Sequence, residues 1–169
     1  MSNDAELKDF EEFLTSLNLD RESHDAEVLL VTCIDFRFIE KVMNLIDCAG
    51  LTGKFDYVIL AGAELGPVVD YPPDPKPHWQ KFFLDHLALS KRLHNIKKVL
   101  VLGHRDCGAY REFELLPEDP DPQAEYACHA AQAKKFEALV KNFDCTLGVD
   151  KYLLSLTSPD EPMKFQAVS

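Results

Sequence analysis

No run of apolar residues in this 169-residue chain approaches the ~20 that a membrane-crossing helix needs. The segment from Met1 to Glu12 has neither the basic start nor the apolar stretch of an export signal, so the chain is expected to stay in the cytoplasm. Positive charge is scarce too: 18 Lys and Arg stand against 29 Asp and Glu, a formal net charge of −11. Nucleic acid and anionic membrane bind through a positive field that displaces counterions, so that balance argues against both as partners. Internal repeats and low-complexity tracts are also missing. At 46% hydrophobic residues the chain is long enough to bury a core and short for two, so a single domain over residues 1–169 is expected. Five cysteines is an odd number, and in an unexported chain cysteine serves more often as metal ligand, nucleophile or core filler than in a disulfide.

Three short apolar runs, Val28 to Val31, Tyr57 to Leu60 and Val99 to Leu102, read as strands buried on both faces of a parallel sheet. Between them lie helical patterns. Ile39, Val42, Met43 and Ile46 form one apolar stripe, ending near Gly50; Trp79, Phe82, Phe83, His86, Leu87, Ser90 and Leu93 form another. A third helix is predicted over Ala124 to Phe143, with Phe136, Leu139, Val140 and Phe143 inward, and a further strand over Tyr152 to Leu156. This order gives a doubly wound, mainly parallel α/β sheet flanked by helices, with its core over residues 27–156. Leu7, Phe10, Phe13, Leu14 and Leu17 mark an amphipathic N-terminal helix within residues 1–20. The proline-rich stretches Pro67 to Pro77 and Pro117 to Pro122 read as surface loops.

The first strand runs into Cys33-Ile34-Asp35-Phe36-Arg37 and the third into Gly103-His104-Arg105-Asp106-Cys107-Gly108. In an open doubly wound sheet these two strands are commonly neighbours, and ligands bind in the crevice beyond their carboxyl ends. Two thiolates and an imidazole suit zinc. Three protein ligands with one exchangeable position is the pattern of a catalytic site rather than a closed structural one. Asp35 is near enough to take the fourth position or to hydrogen-bond a water there, and Arg37 to pair with its carboxylate. Cys48, Cys128 and Cys145 have no such context and read as packing residues.

These motifs resemble those of the β-class carbonic anhydrases, Cys-x-Asp-x-Arg after the first strand and His-x-x-Cys after the third. The likeness runs from about Val28 to Tyr110. The resemblance implies zinc ligation by Cys33, His104 and Cys107, and a dyad of Asp35 and Arg37. In it Asp35 either orients the zinc-activated hydroxide or, in a closed form, ligates the metal itself. It implies homodimers or larger homo-oligomers, with the N-terminal helix on the neighbouring subunit. Two positions differ: Phe36 stands where the family usually has Ser, and Leu60-Ala61-Gly62-Ala63-Glu64 replaces its Arg-Asn-Ala-Gly segment.

The function expected from these residues is reversible hydration of carbon dioxide to bicarbonate. Hydrolysis of carbonyl sulfide or carbon disulfide at the same zinc is a second expectation, suggested by the apolar Phe36. A non-catalytic zinc domain closed by Asp35 is a third.

Overall fold

The computed structural model describes residues 26, 28–48, 50–156 and 163–169. The first strand, β1 (Val28–Cys33), lies inside the sheet and is six consecutive buried residues. β2 (Phe55–Leu60) pairs with one side of β1 and β3 (Lys98–His104) with the other, both parallel. β4 (Gly148–Ser155) continues the sheet parallel to β3, and β5 (Lys164–Ala167) closes it antiparallel, for a strand order β2-β1-β3-β4-β5. The chain therefore leaves β1 toward one edge and returns to its other side, which makes β1 and β3 the switch point of a doubly wound sheet. Thr32 pairs with Leu102, so the end of β1 lies level with the end of β3.

Side-chain alternation along β1 divides the core between two faces. Leu29, Val31 and Cys33 join Val58, Val99 and Val101 on one face; Val28 and Leu30 join Leu100 and Leu102 on the other. The second face is covered by α1 (Phe36–Cys48) through Phe38, Val42, Leu45 and Ile46. Burying each of these side chains contributes about 2 kcal/mol, so Phe38→Ala would cost more than any change on the outer side of this helix. The helix stops in a Schellman turn, in which Leu51 N–H reaches Ile46 O, Gly50 N–H reaches Asp47 O, and Gly50 supplies the left-handed backbone at φ 64°. α2 (Pro77–His94) and α4 (Pro122–Phe143) cover the first face through Phe83, Leu87, Phe136 and Val140. Between β3 and α4 runs the short helix α3 (Gly108–Glu112).

The mainly parallel sheet with helices on both faces is the fold expected from the sequence. The stripes need correction in detail. In α1 the inward set is Phe38, Val42, Leu45 and Ile46, and Ile39 is 44% exposed, because the helix starts on an Asp35 cap that fixes its rotation. In α2 only Phe83, Leu87 and Ser90 are buried, while Phe82, His86 and Leu93 lie on the outer side. Phe143 at the end of α4 is likewise exposed. Between their ends the proline-rich stretches are the expected surface loops, at 69–76 and 117–121, and only their ends enter helical structure. Pro67 is buried in a 3-10 turn over Ala63–Val68, and Pro77 and Pro122 open α2 and α4, where a helix needs no N–H. The stripe from Leu7 to Leu17 lies outside the described residues.

Candidate metal centre

Cys33 is the last residue of β1, and its burial follows from the alternation that points Leu29 and Val31 into the core. The chain then leaves the sheet and begins α1, whose first turn is capped by the Asp35 carboxylate accepting Arg37 N–H at 3.0 Å. The cap aims that carboxylate back along the strand end. The Arg37 side chain reinforces it: Nε lies 3.0 and 3.1 Å from Oδ1 and Oδ2, and Nη2 donates to Oδ2 at 2.6 Å.

His104 ends β3 and is 2% exposed. Its Nδ1 lies 2.8 Å from the Arg105 carbonyl oxygen, which can only accept, so Nδ1 carries the proton and Nε2 presents a bare lone pair. Nε2 is buried and has no hydrogen-bond partner among the described residues; Asp35 Oδ2 is 3.7 Å away. The Phe38 ring, at 4.3 Å between centroids, holds the imidazole from the α1 side. A buried acceptor left without a donor is costly, and beside two cysteine sulfurs a cation would satisfy it.

Cys107 is buried at the start of α3, with its Sγ 3.8 Å from Cys33 Sγ. Two Zn–S bonds of about 2.3 Å at a tetrahedral angle place the sulfurs about 3.8 Å apart, so this pair already has the separation zinc requires. Ligand atoms of Cys33, His104 and Cys107 all lie within 4.8 Å of one another. Gly62 N–H approaches Cys33 Sγ at 3.3 Å. A side chain at Gly62 would strike Leu65 at 2.9 Å and would have to adopt φ 73°, so glycine is needed for this approach.

The electrostatics match a cation site. The Cys107 thiol beside it, together with His104, draws the Cys33 thiol down to about 4 against the cost of burial. Cys107 is pushed well up by the neighbouring Cys33 sulfur and by burial, since two adjacent thiolates repel unless a cation lies between them. For His104, burial works against protonation, but the Cys33 sulfur outweighs it and the net shift is upward. The Arg37 side chain holds the Asp35 carboxyl below its ordinary value.

The residues singled out from the sequence thus meet at one place, with Cys33, His104 and Cys107 converging and Asp35 beside them under Arg37. Phe36 is 83% exposed, so in the single chain it forms no wall of a pocket. Two features were not read from the sequence. Asp106, between the ligands of the His-x-x-Cys turn, is a second carboxylate on Arg37, with Arg37 Nη1 donating to its Oδ2 at 2.7 Å. Glu64 is buried behind the site and accepts from Tyr110 Oη at 2.8 Å and His129 Nδ1 at 2.9 Å, both on Oε1. Its carboxylate lies against Gly103, where a Cβ would come within 2.6 Å of Oε2. The only signal available in the sequence was the glycine before His104, which leaves room for it.

No protein-family model matches this sequence. The uncharacterized protein RC0076 of Rickettsia conorii is 34% identical over 133 residues, 79% of this chain and 69% of that protein. An uncharacterized protein of Rickettsia bellii is 32% identical over 133 residues, 79% of each. Among solved structures, one of the tetrameric β-carbonic anhydrases of Sordaria macrospora superposes with a TM-score of 0.55 at 11% identity, covering 95% of this chain and 86% of that one. The β-carbonic anhydrase CafA of Aspergillus fumigatus gives 0.54 at 14% identity, covering 99% and 86%. The chain belongs to the family of these two uncharacterized Rickettsia proteins, and its fold is that of the β-carbonic anhydrases.

Proposed function

We propose that the chain binds one zinc ion through Cys33, His104 and Cys107 and hydrates carbon dioxide reversibly to bicarbonate. The observation that carries this reading is the convergence of those three buried donors, with an imidazole Nε2 that has no hydrogen-bond partner among the described residues. Zinc in such a site supplies a Lewis acid that makes water nucleophilic near neutral pH.

The chain's own residues divide the remaining work. The Nδ1–H bond to the Arg105 carbonyl keeps the His104 ring in one tautomer and orientation. Asp35 offers a carboxylate to the hydrogen of an attacking water, and Arg37 keeps it ionised and turned into place. A narrow, mostly apolar cleft of about 10 Å³, lined by Thr32, Phe38, Ile39, Val42 and Leu102, lies beside Cys33 and His104, with room for about one water. Phe36 faces outward and gives no support for a sulfur-containing substrate. By analogy with the tetramers of the Sordaria proteins, the reading extends to a homo-oligomer, which sedimentation tests.

The deciding experiment is zinc analysis combined with stopped-flow hydration of carbon dioxide from neutral to alkaline pH. About one zinc per protomer with activity rising toward alkaline pH is expected. Protein that carries zinc but is inactive at every pH would be a binding domain instead, and protein that takes up no zinc would end the reading.

A further inference from the structure

Arg37 cannot by itself be a firm support for Asp35. It is a long side chain in the first turn of α1, 39% exposed, and an ion pair of that kind is easily exchanged for water. What distinguishes it here is a second set of contacts from the other half of the site. Nη1 donates to Asp106 Oδ2 at 2.7 Å, and Nη2, which donates to Asp35 Oδ2 at 2.6 Å, also donates to the Asp106 carbonyl oxygen at 2.9 Å. The guanidinium is therefore clamped between a carboxylate from the β1 end and one from the loop that carries His104 and Cys107.

That loop is itself built for the contact. Asp106 takes the left-handed backbone at φ 55°, which aspartate tolerates better than most side chains and which its surroundings hold in place. Those surroundings come from α4. The buried Glu125 accepts Asp106 N–H on Oε1 at 2.6 Å, and its Oε2 accepts from Arg105 Nη1 at 2.8 Å. Arg105 Nη1 also donates to Pro122 O at 3.0 Å, tying the loop to the start of α4. On the outer side Arg111 Nη1 donates to Asp106 Oδ1 at 2.5 Å, so both carboxylate oxygens have assigned partners. A 60% exposed carboxylate would ordinarily be free to turn, and this one is held by an arginine on each oxygen while Glu125 fixes its backbone.

We propose that Asp106 is a positioning residue which, by holding the far side of the Arg37 guanidinium, keeps Asp35 paired to Arg37 and off the metal, so that the fourth position stays open to small exchangeable ligands. The inference rests on the zinc reading above. It makes Arg37 a bridge between the two ligand-bearing segments rather than a private partner of Asp35. Without Asp106, Arg37 swings to solvent, and Asp35, only 3.7 Å from His104 Nε2, is released toward the donor cluster.

The test uses the full chain loaded with cobalt(II) and titrated with azide at a fixed neutral pH, followed by visible absorption, with metal content measured in each sample. Asp106→Asn and Asp106→Gly are the variants, because both residues accept a left-handed backbone and the fold is retained. Azide affinity should fall about tenfold in both, the scale typical of losing a residue that orients a metal ligand. The loss should disappear when Asp35→Asn is added, and Asp106→Asn should cause no further loss in an Arg37→Ala background. Unchanged azide affinity in both Asp106 variants, or an equal additional loss in the Arg37→Ala background, would overturn the assignment. Failure of the wild-type chain to hold cobalt would instead take away the metal reading on which it stands.

Discussion

Two buried clusters of ionisable side chains lie near the β3 end, each with one histidine, and they end in different states. Cys33, His104 and Cys107 converge with lone pairs facing one another and few hydrogens to share. Glu64, Tyr110 and His129 converge with two donors aimed at one carboxylate oxygen, and the Tyr110 and His129 rings stack at 3.9 Å. The first arrangement has no side-chain N–H or O–H donor at its point of convergence, which a cation would complete; the second satisfies Glu64 Oε1 twice over but leaves Glu64 Oε2 and His129 Nε2 buried without a partner among the described residues. Burial alone would not separate them. What separates them is the two thiols that suit a soft cation in the first, against two donors already placed on one carboxylate oxygen in the second, which is why the first is read as a metal site and the second as a strut behind it.

The largest effect that would sharpen this contrast is on metal content. Cys107→Ser should lose most of the zinc, because a hydroxyl is a poor replacement for a thiolate, and elemental analysis of dialysed protein measures it. Undiminished zinc in that variant would break the comparison outright. Glu64→Ala should do the reverse, keeping about one zinc per protomer while lowering stability by about 3 kcal/mol, since it strands the Tyr110 hydroxyl and the His129 N–H in the interior. Urea unfolding of the zinc-loaded protein reads this. Zinc loss as large as that of Cys107→Ser would instead make Glu64 part of the metal site.

Smaller effects test whether the scaffold and the site are separable. Asp121 caps α4, accepting Gln123 N–H at 2.9 Å and Ala124 N–H at 3.1 Å. Asp121→Ala should cost about 1 kcal/mol with zinc affinity unchanged, measured by denaturation and by competition with a chelator. The smallest effect concerns acid. Arg37 lowers the folded-state pKa of both Asp35 and Asp106, so these carboxylates contribute stability above their ordinary value near 3.8 and lose it as pH falls through their lower folded values. Metal-free protein should therefore lose stability below about pH 4, and Arg37→Ala should lose less over that range. An unchanged acid slope in Arg37→Ala would mean that the pairs add nothing in solution.

Three strands and the ligand trio were legible in the sequence because both are local in origin. Val28–Cys33 and Lys98–His104 are apolar runs whose ends carry the donors, and a strand end followed by a tight turn leaves those side chains little choice of direction. The pairing of β1 with β3 followed from the general rule for doubly wound sheets, and it brings Cys33 within reach of Cys107 across 74 positions of chain. Tertiary structure decided what depends on distant segments meeting. Which residues of α1 and α2 face inward was set by how each helix packs on the sheet, with the Asp35 cap starting α1, and not by periodicity alone. The antiparallel β5 comes from a terminal stretch whose alternation, Met163-Lys164-Phe165-Gln166-Ala167, is too short to fix a strand by itself and is ordered by the edge of β4. Glu64, Tyr110 and His129, and likewise Asp106 with Arg37 and Glu125, share no spacing that a sequence could display. Hydrogen bonds of that kind are chosen by geometry after the sheet has formed, because a polar group takes whichever partner the packed backbone places about 3 Å away.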